Sequence, residues 1–141
     1  MRHQKRTVKL NRNSSHRRAL VANMLKALVE HERIETTVAK GKELRRHADY
    51  LITLAKQNTL ASRRSAIAKM MVSYNTLSSK EGRSAKKGDI SSYNTDRKII
   101  GVLFNKLSSR YALRNGGYTR IVRKENRRGD SSPLCIIEYV Q

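Results

Sequence analysis

The sequence is poor in residues that usually supply covalent, metal or catalytic chemistry. It has one cysteine, one proline, one phenylalanine and no tryptophan among 141 residues. A single cysteine excludes an intramolecular disulfide, and we expect Cys135, in an apolar run, to be a small buried side chain. The four histidines, at positions 3, 16, 31 and 47, are too scattered for the ligand spacings of a metal site. The sequence therefore predicts neither a metal site nor a cofactor.

Acidic residues and long apolar runs are also scarce. Lys and Arg total 31 against 11 Asp and Glu, which gives a net charge of +20, and no acid precedes Glu30. Such self-repulsion predicts a permanent anionic partner, with nucleic acid as the first candidate. The longest apolar runs, such as IIGVLF at 99–104, fall far short of the roughly 20 residues that span a bilayer. The amino terminus has no signal-peptide pattern, so we expect a cytoplasmic protein without a membrane partner.

Catalytic motifs are missing as well. The sequence has no nucleophile elbow, no H-E-x-x-H and no P-loop, and its glycines do not form a phosphate-binding fingerprint. An RNA-processing enzyme would need a site that this pattern does not provide. We expect a protein without enzymatic activity.

A basic arm opens the chain. The first eighteen residues hold seven Lys or Arg, while Val8 and Leu10 are their only aliphatic side chains. Hydrophobic burial cannot repay the entropy of ordering such a segment, but a polyanion can, because each cation that neutralises a phosphate releases counterions. The sequence predicts an arm at 1–14 and one globular RNA-binding domain at 15–141.

Apolar periodicity and turn residues predict the order of elements after the arm. We expect a helix at 15–31, a strand at 32–37, helices at 38–57 and 60–73, a long loop at 74–95, a helix capped by Asp96 and ending near Tyr111, and strands at 118–124 and 134–140. Leu60, Ile67 and Met71 are the predicted apolar stripe of the third helix. The last two strands form a predicted hairpin, with Arg127 and Arg128 at its tip.

Basic residues recur on the second and third helices and again near the carboxy terminus, where Glu125 is the single acid among seven cations. Several separate basic surfaces favour contact with several backbone segments of a folded nucleic acid. Arginine suits this role because its planar group grips phosphate bidentately and stacks on bases. Gly116 and Gly117 beside Tyr118 leave two interpretations open. Either the backbone approaches RNA while the ring stacks on a base, or the pair is an ordinary hairpin turn beside a half-buried tyrosine.

Four stretches of the chain resemble the bacterial large-subunit ribosomal protein seventeen family. They are MRHQKR at the start, LNRNSSHRRAL at 10–20, ERIETT with KGKELRRHADYLITLAK between 32 and 56, and RNGGYTRI at 114–121. The resemblance implies an α/β (α+β) two-layer domain, with helices packed on a small three-stranded sheet. It also implies a structural constituent of the large ribosomal subunit that binds large-subunit ribosomal RNA near the peptide exit tunnel. The chain would act there as a monomer beside neighbouring ribosomal proteins.

The expected RNA contacts come from two sources. By similarity they fall on Arg2, His3, Lys5, Arg6, Asn11, Arg12, Asn13, His16, Arg17, Lys42, Arg45, Arg46, Gly116, Gly117, Tyr118 and Arg120. The charge pattern adds Lys9, Arg18, Arg63, Arg64, Arg110, Arg114, Arg127 and Arg128.

The segment 74–95 looks like an insertion relative to shorter family members. Its cations could touch RNA, a neighbouring protein or only solvent; they are Lys80, Arg83, Lys86 and Lys87. The alternative function for the whole chain is a nucleoid-type DNA-compacting protein.

Overall fold

The order of elements is close to the predicted one in this computed structural model, which describes residues 8–141. The elements are α1 (Ser14–His31), β1 (Arg33–Thr37), α2 (Val38–Gln57), α3 (Leu60–Met70), α4 (Ser79–Lys86), α5 (Thr95–Gly101), a π-helical segment (Val102–Leu107), α6 (Ser108–Arg110), β2 (Thr119–Asn126) and β3 (Pro133–Tyr139). Helices packed on one small antiparallel sheet confirm the α+β class.

The sheet has β3 at its centre, in the order β1-β3-β2, with both pairings antiparallel. On β3, Cys135, Ile137 and Tyr139 are buried, as the two-residue period of a strand requires for one face against the helices. Ile34 of β1 and Ile121 of β2 both lie opposite Ile137. The β2–β3 turn at 127–132 places Arg127 and Arg128 at the predicted tip.

The helix α2 is the central support of the sheet. Its predicted apolar stripe is confirmed, since every member is buried: Leu44, Ala48, Leu51, Ile52 and Ala55. Gly41 permits close approach to β3, because a Cβ at this position would lie 2.7 Å from the Cys135 Sγ. Burial of Cys135 also agrees with the prediction of a small core side chain.

The predicted fourth helix is a continuous helical rod made of α5, the π-helical segment and α6. Ile99, Ile100, Leu103, Phe104 and Leu107 are all buried, as predicted. The cap differs from the prediction: Asn94 is the N-cap and its side chain accepts from the Arg97 N–H. Asp96 instead accepts hydrogen bonds from the Lys26 ammonium at 2.8 Å and the Ser73 N–H at 2.7 Å.

The predicted apolar stripe of α3 is wrong at two of its three positions. Leu60 is 65% exposed and Met71 is 46% exposed. The buried residues are Ser62, Ala66 and Met70, which recur every four positions. Small side chains at the first two positions let α3 pack closely on its neighbours, whereas Leu60 and Met71 fall at the two helix ends.

The segment 74–95 is not a simple loop, because it contains the helix α4. Ser78 and Glu81 form a capping box at its start, and none of the α4 residues is buried. The two ends of the segment are joined: Asn75 donates to the Ser92 carbonyl, and Asn94 donates to the Ser73 carbonyl. We refer to residues 76–93 as the excursion, since these hydrogen bonds fix both of its ends to the start of α5.

Candidate nucleic-acid interface

An open groove of about 760 Å³ lies between α1, α2 and α3. Each helix contributes residues three, four or seven positions apart, which share one face of a helix. The lining residues, hereafter the groove, are Ser14, Arg17, Arg18 and Val21 of α1, Glu43, His47 and Tyr50 of α2, and Ser65, Ala68 and Lys69 of α3. The structure thus brings the predicted Arg17 and Arg18 together with side chains that the sequence did not assign.

The start of α1 fixes the arginine wall of the groove. Asn13 is the N-cap, and its Oδ1 accepts from the His16 N–H at 2.8 Å. The oxygen of this predicted RNA-binding side chain is therefore occupied by capping. One Arg17 Nη donates to the Arg12 carbonyl at 3.2 Å and lies 3.5 Å from the Lys9 carbonyl. These bonds tie the described end of the arm, residues 8–13, to the helix.

Most of the positive charge in the groove is unneutralised. Within residues 8–141, no ion pair joins Arg17, Arg18 or Lys69 to a carboxylate. The one acid in the lining, Glu43, is already engaged: its Oε1 lies 2.6 Å from Arg46 Nη2 and 3.2 Å from His47 Nε2. The groove therefore carries cations available to an anionic ligand.

His47 contributes a neutral hydrogen-bonding group to the groove. Burial, followed by the positive charge of Lys69, lowers the pKa of His47 below its ordinary value, although Glu43 acts in the opposite direction. A neutral imidazole can donate from Nε2 to Glu43 and keep the other nitrogen as an acceptor.

The remaining cations of α2 and α3 divide between two sides. Lys42 and Arg45 share a helix face with Asp49, which accepts from Thr119 of β2 at 3.0 Å, so they do not line the groove. Arg64 lies one turn before Ala68 and flanks the groove. Arg63 is directed inward, since its guanidinium lies 4.7 Å from the centre of the Phe104 ring.

Arg110, a predicted RNA contact, is an ion-paired residue in this structure rather than a free cation. It binds Glu32 with two hydrogen bonds, at 2.7 and 3.0 Å, and Lys106 reaches the same carboxylate at 2.6 Å. These bonds hold the pKa of Glu32 down at about 2. Glu32 is 78 residues away in sequence, so no local pattern could have revealed the pair.

Two other predicted contacts also carry acidic partners. Arg120 binds Glu138 at 2.6 and 3.0 Å across the β2–β3 pair. Arg127 lies 3.3 Å from Asp130 at the hairpin tip. Both arginines are exposed, and each is partly neutralised within the chain. Arg128, by contrast, is exposed, and none of the ion pairs among the described residues includes it.

Tyr118 does not offer its ring to a base, because it is 4% exposed and packs 5.2 Å from Tyr111. Its hydroxyl donates to the Arg114 carbonyl at 3.1 Å. The base-stacking interpretation is therefore wrong in this conformation, and the tyrosine is more deeply buried than the alternative supposed. Gly116 and Gly117 precede β2 rather than form a hairpin turn, and the φ of +60° at Gly117 explains the need for glycine there.

The described part of the chain holds no metal cluster and no membrane-spanning helix. Residues 8–141 contain no group of three or more His, Cys, Asp or Glu side chains placed to hold a metal ion. Over the same residues, no helix has the length and apolar character needed to cross a membrane. The predicted contacts at Arg2, His3, Lys5 and Arg6 lie outside the described residues.

Comparison with known proteins gives one consistent match. The family model described as ribosomal protein L17 matches residues 20–140. Proteins named large ribosomal subunit protein bL17 align over 140 residues, which is 99% of this chain and 99% of each relative. The identity is 57% for those of Chlamydia trachomatis and Chlamydia abortus and 58% for that of Protochlamydia amoebophila.

Proposed function

This chain belongs to the ribosomal protein L17 family, and from that premise we propose that it binds and clamps large-subunit ribosomal RNA near the exit of the peptide tunnel. Membership of the family makes it a structural component of the large ribosomal subunit, in the cytoplasmic ribosome, and not an enzyme. In the proposal it acts as a monomer beside neighbouring large-subunit proteins. Its contribution is to hold RNA segments together rather than to transform them.

The observation that carries the proposal is the unneutralised charge of the groove. Arg17 and Arg18 lie on α1, and Lys69 lies on α3. Packing on the core fixes the backbones of these helices, so little conformational entropy is lost when the side chains bind phosphates. Each phosphate that they neutralise releases counterions, which makes binding strong at low salt and weak at high salt. Helical walls also hold the cations at a constant spacing, which suits recognition of a defined RNA shape.

A clamp needs more than one contact surface, and exposed cations away from the groove supply the others. Lys42 and Arg45 lie on the opposite flank of α2, toward β2, and Arg128 lies at the hairpin tip. Contacts on such separated surfaces would reach different RNA segments, because one RNA helix cannot touch all of these surfaces at once. This arrangement favours structured RNA over a uniform duplex partner.

Chemical footprinting tests the proposed location. Large-subunit RNA is probed in particles assembled with and without this chain. Protection confined to a few helices around the tunnel exit is the expected result. Protection that is absent or spread evenly over the RNA would contradict a defined site and would favour the DNA-compacting alternative. Cosedimentation with large subunits after a high-salt wash separates the same two outcomes.

A pair of charge-matched variants tests the role of the groove. Arg17→Ala with Arg18→Ala should lower the slope of log affinity against log salt by about 1.4 to 1.8, since each phosphate contact contributes about 0.7 to 0.9. Lys86→Ala with Lys87→Ala removes the same charge from the excursion and serves as the control. Equal losses in the two variants would show that charge alone, and not the groove, governs binding.

A further inference from the structure

Tyr50 differs from every other tyrosine of the chain in its surroundings. Tyr111, Tyr118 and Tyr139 are buried, with exposures of 2 to 4%. Tyr74 and Tyr93 both lie against the Arg97 guanidinium, at 4.7 and 5.3 Å. Tyr50 is 50% exposed in the groove, and its side chain makes no hydrogen bond or cation–π contact among residues 8–141. Its ring face is therefore accessible to a ligand.

From this juxtaposition we infer that Tyr50 stacks on one unpaired RNA base in the groove while Arg17 or Arg18 holds the adjoining phosphate. The inference rests on the proposed function and specifies the kind of RNA element that the groove accepts. A nucleotide offers a flat apolar ring next to an anion, and the groove presents a flat ring on α2 facing cations on α1 and α3.

A base within an intact duplex could not make this contact. Both of its faces are covered by neighbouring bases, and the major groove of an RNA duplex is too deep and narrow for side chains to read the base edges. The aromatic ring would have to meet the outer, charged surface of such a helix, where it gains nothing by stacking. An extruded base from a bulge, loop or strand end has free faces and fits an open groove between helices.

Charge within the groove also orients the nucleotide. Glu43 lies on the α2 wall, on the same helix face as His47 and Tyr50. Its carboxylate is paired with Arg46, so the α2 wall offers phosphate little net charge, whereas α1 presents Arg17 and Arg18 without a carboxylate partner among residues 8–141 and is the favourable side. The neutral base then lies toward α2, where His47 and Glu43 provide hydrogen-bonding atoms beside the ring.

Two substitutions of Tyr50 test the inference in the full chain with large-subunit ribosomal RNA as the ligand. Tyr50→Phe keeps the ring and should bind as the parent does. Tyr50→Leu removes it and should lower the affinity roughly 5- to 150-fold, the range expected when one stacking contact is lost. The slope of log affinity against log salt should stay unchanged, since no phosphate contact is removed. Fully duplex RNA should bind both variants equally.

Tyr74→Leu is the matched control, because Tyr74 is similarly exposed, at 43%, but lies outside the groove. Unchanged affinity of Tyr50→Leu for the ribosomal RNA would overturn the inference and leave the proposed function standing. An equal loss in Tyr50→Phe would also overturn it, because the hydroxyl and not the ring would then be responsible. Failure of the parent chain to bind the RNA specifically would instead contradict the proposed function itself.

Discussion

The two ends of α1 use arginine in opposite ways. At its start, Arg17 and Arg18 line the groove with no carboxylate partner among residues 8–141. Beyond its end, Glu32 binds Arg110 and Lys106, and we call these three residues the closed cluster. Arg17 and Glu32 are 15 positions apart along α1 and its C-cap, which corresponds to about 22 Å at about 1.5 Å per residue.

The difference separates cations that hold parts of the fold together from cations that have no carboxylate partner among residues 8–141. The side chains of Arg110 and Glu32 are about one-quarter exposed, and the bonds of the closed cluster join the end of α1 to the helical rod. Among residues 8–141, Arg17, Arg18 and Lys69 of the groove form no ion pair that joins two elements, so their charge is open to an anionic ligand. Substitutions at one end should therefore change stability, and substitutions at the other should change binding.

Arg110→Ala should have the largest effect on stability. It leaves the partly buried Glu32 carboxylate with Lys106 as its remaining partner, and the loss should be about 2 kcal/mol in the free energy of unfolding. Denaturant titration measures this value, with Arg18→Ala as the control that should unfold like the parent. If both variants unfolded alike, the contrast between the two ends of α1 would fail.

Acid should weaken the closed cluster without a mutation. The folded pKa of Glu32 is about 2, below its ordinary value of 4.5, so its stabilising effect is complete above pH 4.5 and disappears as the pH falls toward 2. The pKa difference corresponds to about 3 kcal/mol, which partial solvent exposure reduces to about 2.

Denaturant titrations at several pH values measure the acid effect, and Glu32→Gln provides the comparison. The variant should be less stable than the parent at neutral pH, and the difference should shrink below pH 4.5. A difference that stayed constant to pH 2 would assign the stabilisation to groups other than Glu32.

A new acid in the groove should give its cations a carboxylate partner, as Glu32 does for Arg110 and Lys106 at the other end of α1. Ala68→Glu places a carboxylate near Lys69 and one turn after Arg64, so it should neutralise a cation and repel phosphate. We expect about a tenfold loss of RNA affinity, equal to about 1.4 kcal/mol, with the free energy of unfolding little changed. Ala68→Gln keeps nearly the same shape and should bind as the parent does; an equal loss in both would point to steric obstruction.

Glu35→Gln should have the smallest effect. Glu35 and Lys124 form an ion pair of 2.7 Å between two half-exposed side chains on the outer face of the sheet. Solvent screening limits such pairs to less than about 0.5 kcal/mol. Thermal unfolding should therefore barely change, and a clear fall in melting temperature would show that surface pairs contribute more here than their exposure indicates.

The sequence was sufficient to predict those parts of the fold that depend on a residue and its near neighbours in the chain. Helical periodicity identified the buried stripe of α2 and the apolar face of the rod from Ile99 to Leu107. Turn residues and β-branched runs indicated where the three strands lie along the chain. The helix α4 was missed because it has no buried stripe, although Ser78 and Glu81 have the spacing of a capping box.

Long-range partners could not be read from one sequence. Nothing near Arg110 distinguishes it from Arg114, yet only the former meets Glu32, because the rod passes the end of α1 at that turn. Burial of Tyr118 depends on Tyr111 from another element, which itself packs beside Tyr139. Likewise, the groove requires α1, α2 and α3 to be adjacent, so His47, Tyr50 and Lys69 had no signal of their own as a shared surface.

The hydrogen bonds that close the base of the excursion make this protein a convenient carrier for a grafted reporter. Asn75 and Asn94 hold the two ends of the excursion together. The number of residues between them can therefore vary while α3 and α5 keep their relative positions. Gly88 is exposed, with nothing within 4 Å of the position that a Cβ would occupy. A fluorophore attached beside Gly88 would be held by the hydrogen-bonded base of the excursion, and its signal would report incorporation of the chain into an assembling ribosomal particle.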